Sequence, residues 1–223
     1  MQPEFWQERW RLNEIGFHQS RAADGLTRHW RSLNLAPGAR IFVPLCGKSL
    51  DLLWLRDQGH PVVGVELSDV ALQAFCMENG IAARRRVLPD LERYEAPEWE
   101  LYRGDFFAVN AERLGDIAAV YDRASLISWT PELRDRYARH LTSLTPAGAL
   151  TLLVTLEYDQ AQKSGPPFSI DMAEVQRLYA ADYAIEELSR EDVLDSEPRM
   201  RARGVTQLHE VCYRLTRLRN DTN

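Results

Sequence analysis

The sequence predicts an α/β chain built on a mainly parallel sheet of seven strands, closed at its C-terminal end by an antiparallel hairpin. Three observations predict it. The stretch Ile41-Phe-Val-Pro-Leu-Cys-Gly-Lys-Ser49, followed by Leu50 to Gly59 and Pro61-Val-Val-Gly-Val-Glu66, reads as strand, glycine turn, helix and a second strand ending on an acid. Strand-like and helix-like segments then go on alternating, with strands at 40–45, 61–66, 100–103, 117–121 and 149–155. Near the end the period changes, because Tyr183 to Leu188 and then Val211, Tyr213 and Leu215 alternate as half-buried strands do.

The helices follow from spacing and end signals. Residues 3 to 15 predict an amphipathic helix, with Pro3 at its first position, Glu4 and Glu8 near its positive end, Trp6 and Trp10 on one face and Gly16 as its stop. Phe17-His18-Gln19-Ser20 is then a loop, and Leu26, Trp30 and Leu33 place a second helix over 24–33. Together, residues 1–36 form a helical cap that would serve as a lid, ahead of one core domain over 37–223. Helices fit 49–58 and 69–79, with Gly59 and Gly80 as stops, and 131–144, with Thr130 as N-cap and Pro131 in the first turn. Asp171 and Glu174 have the spacing of a capping box for a helix through Tyr179. Residues 189–207 read as a long connection.

Composition bounds the function. A formal charge of −6 and a pI near 5.5 oppose non-specific nucleic-acid binding. The three cysteines, Cys46, Cys76 and Cys212, have no Cys-x-x-Cys spacing, and the five histidines show no His-x-x-x-His pair, so neither a disulfide framework nor a metal site is expected. The N-terminus has no basic and apolar leader pattern, and no apolar run is long enough to span a bilayer. A cytoplasmic protein is the expectation. With no exposed helical heptad, it is expected to be a monomer.

Glu66 lies 19 residues after Gly47. In an open α/β sheet a turn glycine lets the backbone approach a ligand, while an acid at the end of the next strand accepts hydrogen bonds from ribose hydroxyls. Gly47-Lys48-Ser49 also ends the phosphate-loop pattern, but the glycine that pattern needs five residues earlier is Phe42. A pyrophosphate-binding turn needs two further glycines, and only Gly47 is present. An adenosyl ligand without phosphate needs neither, which points to S-adenosylmethionine; a plain βαβ turn is the alternative. Asp105 follows the third strand, where an adenine contact and a solvated turn aspartate are both open. Arg123, in Tyr121-Asp122-Arg123-Ala124, ends another strand at the same edge, as either an arm for an electron-rich substrate or a structural ion-pair member. Gly165-Pro-Pro-Phe168 is a stiff turn or a rigid pocket wall. A nucleotide-dependent oxidoreductase and a non-catalytic cofactor-binding module remain as competing readings.

Taken together, Glu4-Phe-Trp-Gln-Glu-Arg-Trp10, Gly16-Phe-His-Gln19, Pro44-Leu-Cys-Gly-Lys48, Gly59 to Glu66, Asp122-Arg123-Ala124 and Gly165-Pro-Pro-Phe168 closely resemble the thiopurine S-methyltransferase family, in its bacterial form. The resemblance implies a class I S-adenosylmethionine-dependent methyltransferase fold and methyl transfer to the sulfur of aromatic and heterocyclic thiols such as 6-mercaptopurine. By matching positions it implies that Trp10, Leu45, Glu66 and Arg123 contact the cofactor, and that Phe17, Arg123, Pro167 and Arg199 line the acceptor pocket. Asp105 departs from the apolar residue that animal relatives place there. The resemblance also links bacterial relatives to selenium and tellurium compounds, which makes metalloid detoxification an alternative role. Arg123 is the candidate catalytic group, with His18 a weaker one.

Overall fold

The computed structural model describes residues 3–219, which form two compact units, one ending at Tyr121 and one beginning at Asp122. The first unit opens with helix α1 (Pro3–Arg11), followed by α2 (Asp24–His29) and a tight 3-10 turn, Trp30–Leu33. Its strands are β1 (Arg40–Val43), β2 (Val62–Glu66), β3 (Arg84–Val87), β4 (Glu92–Ala96), β5 (Trp99–Arg103) and β6 (Ile117–Arg123), whose last two residues belong to the second unit. Between them lie α3 (Asp51–Asp57), α4 (Asp69–Glu78) and α5 (Ala111–Leu114). The strands lie in the order β3-β4-β5-β2-β1-β6, with β5, β2, β1 and β6 parallel. The order therefore reverses at β1, the kind of position where open α/β sheets receive ligands.

All seven expected strands form, and the sheet gains two more. Arg84-Arg85-Arg86 is solvent-exposed, as its charge requires, yet it pairs antiparallel with β4 as an edge strand. A row of arginines on an exposed edge discourages pairing with another chain.

Helix α1 is shorter than predicted, because Asn13 and not Gly16 stops it. Asn13 takes the left-handed conformation at φ 55°. The Glu14 N–H then donates to Arg9 O (2.9 Å) and the Asn13 N–H to Trp10 O (3.2 Å), the two bonds of a Schellman cap. The second predicted helix, 24–33, tightens into 3-10 geometry over its last turn. α2 is tied to α3 by the buried Asp51 carboxylate, which accepts from Ala23 N–H (2.8 Å) and Tyr121 Oη (3.0 Å).

The second unit contains α6 (Pro131–Leu144), β7 (Leu150–Glu157), α7 (Met172–Tyr179), β8 (Tyr183–Asp192), α8 (Pro198–Ala202) and β9 (His209–Arg217). β9 lies between β7 and β8, antiparallel to both, so the predicted terminal hairpin is present. Thr130 precedes α6 as expected, but its side chain caps no helix N–H. Asp171 does cap α7, accepting from Glu174 N–H (2.8 Å), while the Glu174 carboxylate closes no box and pairs with Arg134 and Arg177. The connection predicted over 189–207 is not structureless: β8 runs on to Asp192, and α8 follows a 3-10 turn. The cause is apolar, since Leu194, Met200, Val205 and Leu208 bury themselves with Tyr158.

Candidate active site

In the first unit the predicted residues converge on the carboxyl ends of β1 and β2. The chain leaves β1 through Leu45 and Gly47, both left-handed, at φ 46° and 54°. For a leucine that conformation costs about 1–2 kcal/mol, which the surrounding bonds must offset. The Cys46 N–H donates to Val65 O (2.9 Å), so the turn is stitched to β2. Because of that path the Gly47 N–H points at the end of β2 and donates to Glu66 Oε2 (2.9 Å), while Ser68 N–H donates to Oε1 (2.7 Å). Glu66 is 6 % exposed, and burial pushes its carboxyl up to about 7 against the pull of those amides.

Trp10 covers this turn. A Cβ built on Gly47 would lie 3.0 Å from Trp10 Cζ2, so glycine suits both the left-handed φ and the close approach of the indole. Phe17 stands edge-on to Trp10, with ring centroids 5.4 Å apart, and also meets Trp6 at 5.9 Å. Cys46 Sγ packs over Gly64, and burial with the Glu66 charge pushes its thiol well above the usual range. That cysteine is a packing residue, not a nucleophile. Asp105 lies at the end of β5, exposed, and accepts from Phe107 N–H (2.9 Å) as the cap of a 3-10 turn.

The second unit holds the other predicted residues. Arg123 is the last residue of β6, and Ala124 after it is left-handed at φ 62°. The turn is stapled by Asp122, fully buried, which accepts from Leu126 N–H (3.1 Å) and Tyr137 Oη (2.7 Å). Burial raises the Asp122 carboxyl to about 6. Arg123 and the exposed Arg199 share a neighbour, Glu197: burial pushes its carboxyl up, and both guanidiniums pull it back. Pro167 lies in Gly165–Phe168, where the Phe168 N–H donates to Ile127 O (2.8 Å). A shallow groove of about 200 Å³ on β7, β8 and β9, lined by Leu150, Ile185, Glu186 and Arg214, contains none of these residues.

The sequence model of the thiopurine S-methyltransferase family matches residues 1–218. The chain is 47% identical over 215 residues to a protein of that name from Pseudomonas fluorescens, covering 96% of this chain and 99% of the relative. It is 45% identical to one from Nitrosospira multiformis, with 96% and 98% covered. The chain belongs to the thiopurine S-methyltransferase family. Among solved structures it is similar to a Burkholderia thailandensis 1,6-didemethyltoxoflavin-N1-methyltransferase, at a TM-score of 0.65 and 13% identity, with 97% of this chain and 87% of that chain covered. The α/β fold is that of class I methyltransferases, and this member of the family is an S-adenosylmethionine-dependent methyltransferase. The oxidoreductase and non-catalytic readings fall away.

The pattern of residues singled out Gly47, Glu66 and Arg123, and the family resemblance added Trp10, Phe17, Leu45 and Arg199; the fold brings Trp10, Phe17, Leu45, Gly47 and Glu66 into one cluster, and Arg123 with Arg199 around one carboxylate. Pattern and resemblance both passed over Ser68, Glu197, Tyr158 and Lys163. Ser68 was findable, since it caps α4 by accepting from Ala71 N–H (3.3 Å), and a serine before Asp69 is an N-cap signal. Glu197, Tyr158 and Lys163 belong to no pattern and acquire their neighbours only through the fold. Among the described residues no cluster of metal-ligating side chains occurs, and no helix is long and apolar enough to cross a membrane.

Proposed function

We propose that this protein methylates the sulfur of aromatic and heterocyclic thiols, with 6-mercaptopurine as the representative acceptor. The family match over residues 1–218 carries the reading. The Glu66 turn fits the cofactor independently: a buried carboxyl poised near 7 sits beside a backbone bared at Gly47 and roofed by Trp10. Such an acid gains most from hydroxyl donors, and a ribose brings two.

S-adenosylmethionine, when bound, supplies a methyl group made electrophilic by its sulfonium. In our assignment Glu66 accepts the ribose hydroxyls, Gly47 and Leu45 let the backbone approach, Trp10 excludes water, and Asp105 meets the adenine edge. Arg123 contacts the cofactor and, as catalytic residue, holds the acceptor sulfur as thiolate. Phe17, Pro167 and Arg199 line the acceptor side. A heterocyclic thiol acidic enough to ionise near neutral pH needs no dedicated base, which accounts for the absence of a catalytic dyad in the sequence. Positioning of reactants supplies up to ~7–11 kcal/mol in favourable cases, enough for an enzyme whose cofactor carries the difficult chemistry. α1 and Phe17 act as the lid. A monomeric protein in the cytoplasm belongs to the same proposal, and the unbridged thiols of Cys46 and Cys76 suit a reducing compartment.

The test is transfer of a labelled methyl group from S-adenosylmethionine to a panel of thiols, selenite and tellurite, with Glu66→Ala alongside. Thiols are expected to take up label, and Glu66→Ala to raise the KM for the methyl donor about 10- to 100-fold, as loss of strong hydrogen bonds in a buried site does. Label entering selenite or tellurite and no thiol would reassign the acceptor to metalloid oxyanions.

A further inference from the structure

The segment Pro166-Pro167 poses a physical problem that the second unit answers with one lysine. Prolines have no N–H, so this stretch offers the fold only carbonyl acceptors. An acceptor turned inward without a donor is costly, and here side chains supply the donors. Lys163 Nζ donates to Pro166 O (2.7 Å) and lies 3.4 Å from Pro167 O. Tyr158 Oη donates to Pro167 O (2.6 Å). Gln160 locks the two together: its Nε2 donates to Lys163 O (2.5 Å) and Tyr158 Oη (3.1 Å), while its Oε1 accepts from Ser169 N–H (2.8 Å).

Lys163 is unusual for a lysine. It is 8 % exposed, and among the described residues no carboxylate pairs with it. Burial, with the like charge of Arg203, pushes its amine down to about 8. An ammonium retained against that penalty brings charge-assisted hydrogen bonds, roughly twice as strong as neutral ones. Phe168, next along, is held by its own N–H on Ile127 O and by the Arg134 guanidinium 5.6 Å over its ring. The segment is therefore fixed on both sides.

We propose that Lys163, with Tyr158, is a positioning residue that sets the shape of the acceptor side of the site through the Pro166 and Pro167 carbonyls, and so selects which methyl acceptors fit. This rests on the assignment of Pro167 to the acceptor side. The assignment of selectivity to this wall follows from what can move. A rigid wall discriminates by shape, and loosening it affects the acceptor that fills the space more than one that leaves room.

The experiment compares the parent enzyme with Lys163→Met and Tyr158→Phe on two acceptors, bicyclic 6-mercaptopurine and monocyclic thiophenol. Affinity for S-adenosylhomocysteine is measured by calorimetry in parallel. Each variant is expected to raise the KM for 6-mercaptopurine about tenfold, to change that for thiophenol less than about twofold, and to leave kcat and the S-adenosylhomocysteine Kd unchanged. Tyr158→Phe removes one oxygen only, so it gives the reading even where Lys163→Met does not fold. An unchanged ratio between the two acceptors overturns the inference, as does a Kd for S-adenosylhomocysteine that moves as far as the acceptor KM. A parent enzyme that methylates neither acceptor overturns the thiol assignment itself and this inference with it.

Discussion

The two units solve opposite hydrogen-bonding problems. At the end of β2 a single side-chain acceptor, Glu66, collects backbone donors, from Gly47 and Ser68. At Pro166-Pro167 the backbone supplies the acceptors, and the side chains of Lys163 and Tyr158 supply the donors. In the first arrangement the donors are written into the path of the chain, so apart from Glu66 itself it is vulnerable only where that path changes. The second depends on side chains arriving from elsewhere in the loop, so an ordinary substitution can undo it. Rigidity at a turn is thus reached by two routes with different failure points.

The largest effect should follow from disturbing the chain path. Gly47→Ala forces a Cβ into a left-handed position and against Trp10, whereas Gly148→Ala, at φ 82° with nothing within 4 Å, carries the backbone strain alone. Each is expected to lose about 1–2 kcal/mol of stability from conformation. Gly47→Ala should lose about 1–3 kcal/mol more from overpacking, and bind S-adenosylhomocysteine at least about tenfold more weakly. Urea denaturation and calorimetry read both quantities. Equal destabilisation of the two variants would show that Trp10 does not press on the turn.

The same contrast decides what the sequence reveals. A turn glycine and an acid 19 residues later are local signals tied to a strand and its successor, and so the meeting of Gly47 and Glu66 is legible in the order of residues alone, whereas Trp10, Phe17 and Leu45 enter only through the family resemblance. The seven strands are legible for a similar reason, since apolar runs between turn residues announce themselves. The hairpin β3–β4 is not, because three consecutive arginines carry no apolar period, and its register comes from pairing with β5. Nor is the Asn13 stop, since Gly16 offers a stronger local signal and only the capping bonds distinguish them. Lys163 looks like any lysine beside Gln162 and Ser164. It is buried only once the loop folds so that Pro166 O meets its amine and Gln160 meets its carbonyl, which its neighbours in sequence do not announce.

A smaller effect should come from the buried acid of the second unit. Asp122 relies on a side-chain donor, Tyr137 Oη at 2.7 Å, for one of its oxygens. Tyr137→Phe removes that donor and leaves a buried acceptor short, a loss of about 1–2 kcal/mol within the usual range for such groups. It should also displace the Arg123 turn, because Asp122 additionally holds Leu126 N–H. Thermal unfolding and the acceptor KM of Tyr137→Phe measure the two consequences. A stability loss without any change in KM would separate Asp122 from the placement of Arg123.

The finest discrimination between the two acids is their protonation on binding. Glu66 is raised from its ordinary 4.5 to about 7 and Asp122 from 3.8 to about 6, in each case by burial. A raised folded value means that the native chain binds more protons than the unfolded one between the two values. Stability therefore falls as pH rises, over about 4.5 to 7 for Glu66 and about 3.8 to 6 for Asp122. Only Glu66, on our assignment, then meets ligand hydroxyls, and donors favour its ionised form. Binding should consequently release a proton near neutral pH, and S-adenosylhomocysteine affinity should weaken as pH falls below about 7. Calorimetry at about pH 6.5, inside the Glu66 window, in buffers of different ionisation heat would show release of a fraction of a proton, absent in Glu66→Gln. Release that persists in Glu66→Gln would move the coupling to another group and leave the acid of the second unit as the next to be substituted.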